Sequence, residues 1–113
     1  MKLPLQAFAI SMSIMYAAHA QPILFQSTLT VNNIADPKVS VGRDKNPAQA
    51  HGQNTFVIKG RQSDYFFTVN YQHNGKSQEA ICEISGAPQK IVATINPSKE
   101  GREACKTQES RNS

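Results

Sequence analysis

Eight residues of this 113-residue chain stand out as candidates for chemistry: Cys82, Cys105, His51, His73, Glu79, Glu83, Lys59 and Arg61. The last six are what a small ribonuclease-like enzyme assembles, namely a base, an acid and a cation over a phosphate. Their spacing does not force them together. Glu79 and Glu83 fall on one face of an alternating segment, where a solvated strand face carries carboxylates without any catalytic reason. His73 adjoins a turn, and His51 lies in a polar stretch. No Ser/His/Asp or Cys/His arrangement has a local signature, and no glycine-rich loop could cradle a phosphate. A metal site needs three or four convergent ligands, and no spacing here supplies them. The two cysteines, 23 positions apart, do not form a zinc motif. The residues therefore predict no catalytic group, no metal ligand and no cofactor.

The pairing of the cysteines depends on compartment, which residues 1–20 address. Lys2 gives a positive start, and 3–16 is a mostly apolar run with Ser11 and Ser13 as its hydroxylated breaks. Ala18-His19-Ala20 then has the small-x-small form that signal peptidase cuts. The segment predicts a signal peptide cleaved before Gln21. A transmembrane anchor is the competing reading, but the run is short of the ~20 residues needed to cross a bilayer core. Gln21, not Cys, follows the cut, which argues against a lipoprotein anchor. No other stretch is long and apolar enough to span, so the mature chain is expected to be extracellular with no membrane association, with delivery into host cells an open alternative, or periplasmic if bacterial. In an exported chain an even cysteine count favours a disulfide, Cys82–Cys105. Closing that loop is worth roughly 3 kcal/mol on the chain-entropy account. N-glycosylation is not expected, because Asn96-Pro97-Ser98 carries a forbidden proline.

Removing twenty of the 113 residues leaves one small domain, 21–113, near the size at which a single core just suffices. It keeps 11 of the 12 Lys+Arg and all 8 Asp+Glu, a net charge of +3. The densest basic cluster, Lys38, Arg43 and Lys45, is diluted by Asp36 and Asp44. Nucleic-acid binding normally shows tighter clustering, and none is expected.

The elements that must position these residues read as short strands between turn formers. Phe25, Ser27, Leu29 and Val31 alternate with Gln26, Thr28 and Thr30. Val39 and Val41 mark a second extended piece. Residues 42–54 are polar and read as an exposed loop, and 55–59 resumes the strand pattern with Gly60 closing it. Tyr65, Phe67, Val69 and Tyr71 share one face of the next strand. Asn74-Gly75 then favours a two-residue type I′ turn, since both central residues need positive φ. That turn fixes a register in which Tyr71 meets Gln78, Val69 meets Ala80, Phe67 meets Cys82 and Tyr65 meets Ile84. On the opposite face Asn70 meets Glu79, Thr68 meets Ile81 and Phe66 meets Glu83. Phe66, Thr68, Ile81 and Glu83 are thus the candidate binding surface, unless a second sheet covers Phe66. Residues 90–95 form another strand. Asn96 with Pro97 at the first position can begin a short helix that returns Cys105 to the sheet, and 106–113 is expected to fray. The expected fold is mostly β: a small antiparallel β-sandwich or barrel of five to six short strands, one disulfide and at most one short C-terminal helix.

The combination of leader, short strands, one disulfide and no catalytic signature resembles the small secreted effectors of plant-pathogenic fungi, in format over the whole chain. One group of these, the MAX effectors, comprises six-stranded β-sandwiches with a single disulfide. Those proteins usually tie an early strand to a late one, whereas here both cysteines lie in the last third. The resemblance implies a virulence factor that engages a host protein, and not an enzyme. A bacterial periplasmic or secreted β-domain acting as adaptor or inhibitor, and a ribonuclease-like enzyme, are the alternatives. Binding is expected through the sheet surface or through an unpaired edge, with 25–31 and the hairpin 63–84 as contributors.

Overall fold

Alternating sequence becomes two stacked sheets in a computed structural model, which describes residues 23–61 and 64–111. The leader 1–20, Gln21 and Ser63 lie outside the described residues. The strands are β1 (Ile23–Asn32), β2 (Lys38–Val41), β3 (Asn46–Pro47), β4 (Gln49–Ala50), β5 (Thr55–Arg61), β6 (Phe66–His73), β7 (Lys76–Glu83), β8 (Lys90–Ile95) and β9 (Cys105–Ser110). Sheet A has the order β4-β5-β1-β8-β9, and sheet B has β3-β2-β6-β7.

One face of each strand turns inward and packs as a single core. Leu29 and Val31 of β1, Phe56 and Ile58 of β5, and Ile91, Ala93 and Ile95 of β8 come from sheet A. Val39, Val41, Phe67, Val69, Tyr71, Ala80, Cys82 and Ile84 come from the β2 and hairpin side. Each large aliphatic or aromatic side chain so buried contributes roughly 1.5–3 kcal/mol. Ser27 is also fully buried, and its hydroxyl is satisfied by donating to the Pro88 carbonyl.

Both long sides of the sandwich are closed by the chain itself. On one side the chain steps from β3 in sheet B to β4 in sheet A at Ala48, whose N–H donates to Val39 O at 2.9 Å. Pro47 is tolerated there because the short edge strand needs no further donor. On the other side Cys82 of β7 is bonded to Cys105 at the start of β9, with Cα atoms 5.4 Å apart. The disulfide therefore joins the edge strand of sheet B to the edge strand of sheet A.

The hairpin has the register that Asn74-Gly75 dictates. Pairs run from Phe66–Glu83 through Phe67–Cys82, Thr68–Ile81 and Val69–Ala80 to His73–Lys76. Asn74 and Gly75 both have positive φ, 53° and 76°. Ile84 N–H still donates to Tyr65 O at 2.7 Å, but the Tyr65 side chain is 67% exposed and not part of the core. It precedes β6, where the chain is leaving the turn held by Asp64.

Several expectations require correction. Seven strands have four or more residues, and β3 and β4 add two-residue pairs inside the 42–54 loop. The sandwich is not wholly antiparallel, because β1 and β8 pair in parallel from Thr28–Lys90 to Asn32–Thr94. Gly60 does not end β5 but is buried within it, opposite Phe25. No helix starts at Asn96. Its side chain instead accepts from Ser98 N–H (3.1 Å) and Ser98 Oγ (2.6 Å), a local turn that competes with helix. Gly101 at φ 65° then leaves only a 3-10 turn, Arg102–Ala104. Residues 106–110 are not frayed, since β9 pairs with β8 from Ile95–Cys105 to Lys90–Ser110.

Candidate contact surface

The outer face of sheet B is built by the even residues of β6 and the odd residues of β7. Phe66 lies opposite Glu83, Thr68 opposite Ile81, and Ser40 of β2 lies on the far side of Thr68. Phe66 and Ile81 are half-buried and stand outside the core. Thr68, between two strands and beneath these larger neighbours, is only 2% exposed. It is therefore the floor of this surface and offers no contact, which corrects the expectation from alternation alone. Glu83 is exposed and pairs with Arg102 Nε at 3.6 Å, and Glu79 pairs with Lys45 Nζ at 3.9 Å. All four side chains are open to water, so each pair stabilises by well under 1 kcal/mol. The result is a small apolar centre with a rim of opposite charges, the composition pattern of contact surfaces.

The edges are less open than strand counting suggests. β1 is central in sheet A, paired with β5 on one side and β8 on the other. Residues 25–31 therefore supply no edge. β7 is an edge, but Gly101 caps its middle. Gly101 N–H donates to Glu79 O at 2.9 Å, and Ile81 N–H donates to Gly101 O at 3.0 Å. β9 is the other long edge, and Glu109 on it accepts from Ser85 N–H at 2.9 Å.

The residues considered for acid–base chemistry are dispersed. Lys59 and Arg61 on β5, with His51 in the β4–β5 turn, belong to sheet A. His73, Glu79 and Glu83 belong to the β6–β7 hairpin of sheet B. His73 shares a 3.4 Å contact with Asn74 at the turn. Among the described residues no group of three His, Cys, Asp or Glu side chains could hold a metal ion.

Tyr71 is the titratable group whose environment alters it most visibly. Its ring is buried, and its hydroxyl donates to Lys99 O at 3.3 Å. Burial raises its pKa, and the nearby Glu100 carboxylate raises it further, because both disfavour the phenolate. The alternation placed this ring inward, but nothing local announced Lys99 and Glu100 as its neighbours. No family model, curated protein or solved structure matches the chain.

Proposed function

We propose that this protein is an exported binding module that engages a protein partner through the outer face of sheet B. In the effector reading that partner is a host protein. The observation that carries the proposal is the position of Phe66 and Ile81. Both are apolar, half-exposed and outside the core, and ion pairs involving Glu83 and Glu79 flank them. Such residues are typical anchors when a second surface covers them. The division of the candidate acid–base set, with His51, Lys59 and Arg61 at sheet A and His73, Glu79 and Glu83 on sheet B, favours binding over acid–base catalysis.

A photo-cross-linking residue placed at position 66 of the secreted protein tests the proposal. One discrete cross-linked protein, lost on adding Ile81→Lys, is the expected result. Its source separates the effector from the periplasmic adaptor, according to whether it comes from a host or from the producing cell. Absence of any cross-link that depends on Ile81 would remove this face from consideration.

A further inference from the structure

The step from sheet B to sheet A at Ala48 leaves part of β5 without a neighbour. β4 pairs with β5 only at Gln49–Val57 and Ala50–Phe56. Thr55 O accepts from His51 N–H on the β4 side. Backbone groups alternate along a strand, so Thr55, Val57 and Lys59 all present theirs outward, away from β1. Beyond them Arg61 is engaged by Asp64, whose carboxylate accepts from Arg61 N–H at 2.8 Å and whose own N–H donates to Arg61 O at 3.0 Å. Lys59 lies between these two capped positions. Among the described residues, neither its N–H nor its C=O has a backbone partner outside the β1–β5 pairing.

Beside that gap is a groove of about 360 Å³, lined among others by Ile23, Val41, Pro47, Val57, Lys59 and Arg61. Both charged residues of its lining are cations, and no carboxylate lines it. The nearby Asp64 carboxylate is committed to the Arg61 backbone. Arg61 Nε is buried and finds no acceptor among the described residues. An N–H withdrawn from water without an acceptor is destabilising, and a carboxylate is its best complement. Ile23, 52% exposed at the groove, is an apolar contact not used by the core.

We propose that this groove binds an extended acidic peptide segment, added to sheet A as a short strand at Lys59. The segment's backbone pairs with Lys59 N–H and C=O, as in other strand-addition complexes. A Glu side chain on it is received by the Lys59 ammonium and the Arg61 guanidinium, and an apolar neighbour rests on Ile23. The groove volume suits a few side chains of a peptide and lies within the usual range for ligand sites. The receiving strand β5 is in sheet A, although Val41 and Pro47 of sheet B also line the groove, and the proposal does not depend on the Phe66 face being a contact surface.

The test is a titration of the oxidised, secreted protein, followed by nitrogen–proton NMR. The probe is the acetylated and amidated hexapeptide Val-Thr-Val-Glu-Val-Thr, with a matched peptide carrying Gln for Glu. Saturable shifts of the Lys59 amide and the Arg61 Nε–H are expected. The Gln peptide should bind at least about tenfold more weakly, the effect of losing one charge-assisted hydrogen bond. Lys59→Gln, an exposed change that leaves the core untouched, should weaken the Glu peptide similarly, and Lys59→Glu more so. The proposal is overturned by absence of shifts, by equal binding of the two peptides, or by shifts confined to β9 or the Phe66 face.

Discussion

Phe25 and Gly60 face one another across the β1–β5 pairing, and the Phe25 ring lies against the glycine where a Cβ would stand. The register shifts between Ile23 and Phe25, so the aromatic leans across its partner strand at that irregularity. An aromatic covering a cross-strand glycine restores the packing that the missing side chain forgoes. Neither residue can be changed without the other noticing.

Gly60→Ala should therefore push the ring away and destabilise by about 1–3 kcal/mol, the usual scale of overpacking. Urea unfolding of Gly60→Ala, Phe25→Ala and the double variant checks this. The double variant should lose clearly less than the sum of the single losses, because the clash disappears with the ring. Additive losses would mean the two side positions do not share space.

The disulfide links edge to edge across the sandwich and is the one side-chain covalent bond between the two sheets among the described residues. Cys105→Ala should cost about 2–5 kcal/mol, enough to leave little net stability in so small a domain. The measurement is the unfolding midpoint with and without reductant. Reductant should lower the midpoint of the native sequence and leave that of Cys105→Ala unmoved.

Tyr71 makes stability sensitive to alkali. Burial and Glu100 raise its pKa in the folded state above the ordinary value of about 10. Above pH ~10 the unfolded chain releases this proton while the folded chain keeps it, so unfolding is favoured increasingly as pH rises. The contribution is intact below that point and is lost as pH climbs through the raised folded value. Tyr71→Phe removes the titration, at the cost of one hydroxyl bond to Lys99 O worth about 0.5–1.5 kcal/mol. Unfolding midpoints from pH 8 to 11 should converge for the two proteins at the alkaline end. Parallel curves would show that Tyr71 does not carry the dependence.

What could be read from sequence divides along local and non-local lines. Asn74-Gly75 fixes the hairpin register by itself, because a two-residue turn allows one pairing and the apolar set of β6 then chooses the face. The parallel pairing of Thr28 with Lys90 links residues far apart in sequence, and no turn announces it. β9 reads Cys-Lys-Thr-Gln-Glu-Ser, without alternation, because as an edge strand it sends little inward and is held by backbone bonds to β8. Asn96-Pro97 begins like a helix, yet Gly101 at φ 65° turns its backbone to cap β7 instead. The candidate surface was legible as alternation on β6 and β7, but the burial of Thr68 depends on its neighbours' bulk, which alternation does not weigh.

The functional proposal separates residues that alternation treats alike. If binding uses the outer face of sheet B, Phe66→Ala and Ile81→Lys should each weaken partner capture by tenfold or more, about 1.4 kcal/mol, which is within the range of interface anchors. Both side chains stand outside the core, so unfolding midpoints should move little. His51→Ala and His73→Ala should leave capture unchanged, because the first lies in the β4–β5 turn of the other sheet and the second at the hairpin turn. Glu83→Ala should act mainly on the association rate and its salt dependence, as rim charges do. Thr68→Val serves as the internal control: its hydroxyl is buried, so it should alter stability and not capture. Loss of all activity from a single histidine or glutamate substitution, with the fold intact, would transfer the function to acid–base chemistry. Cleavage of RNA by the purified protein would point the same way.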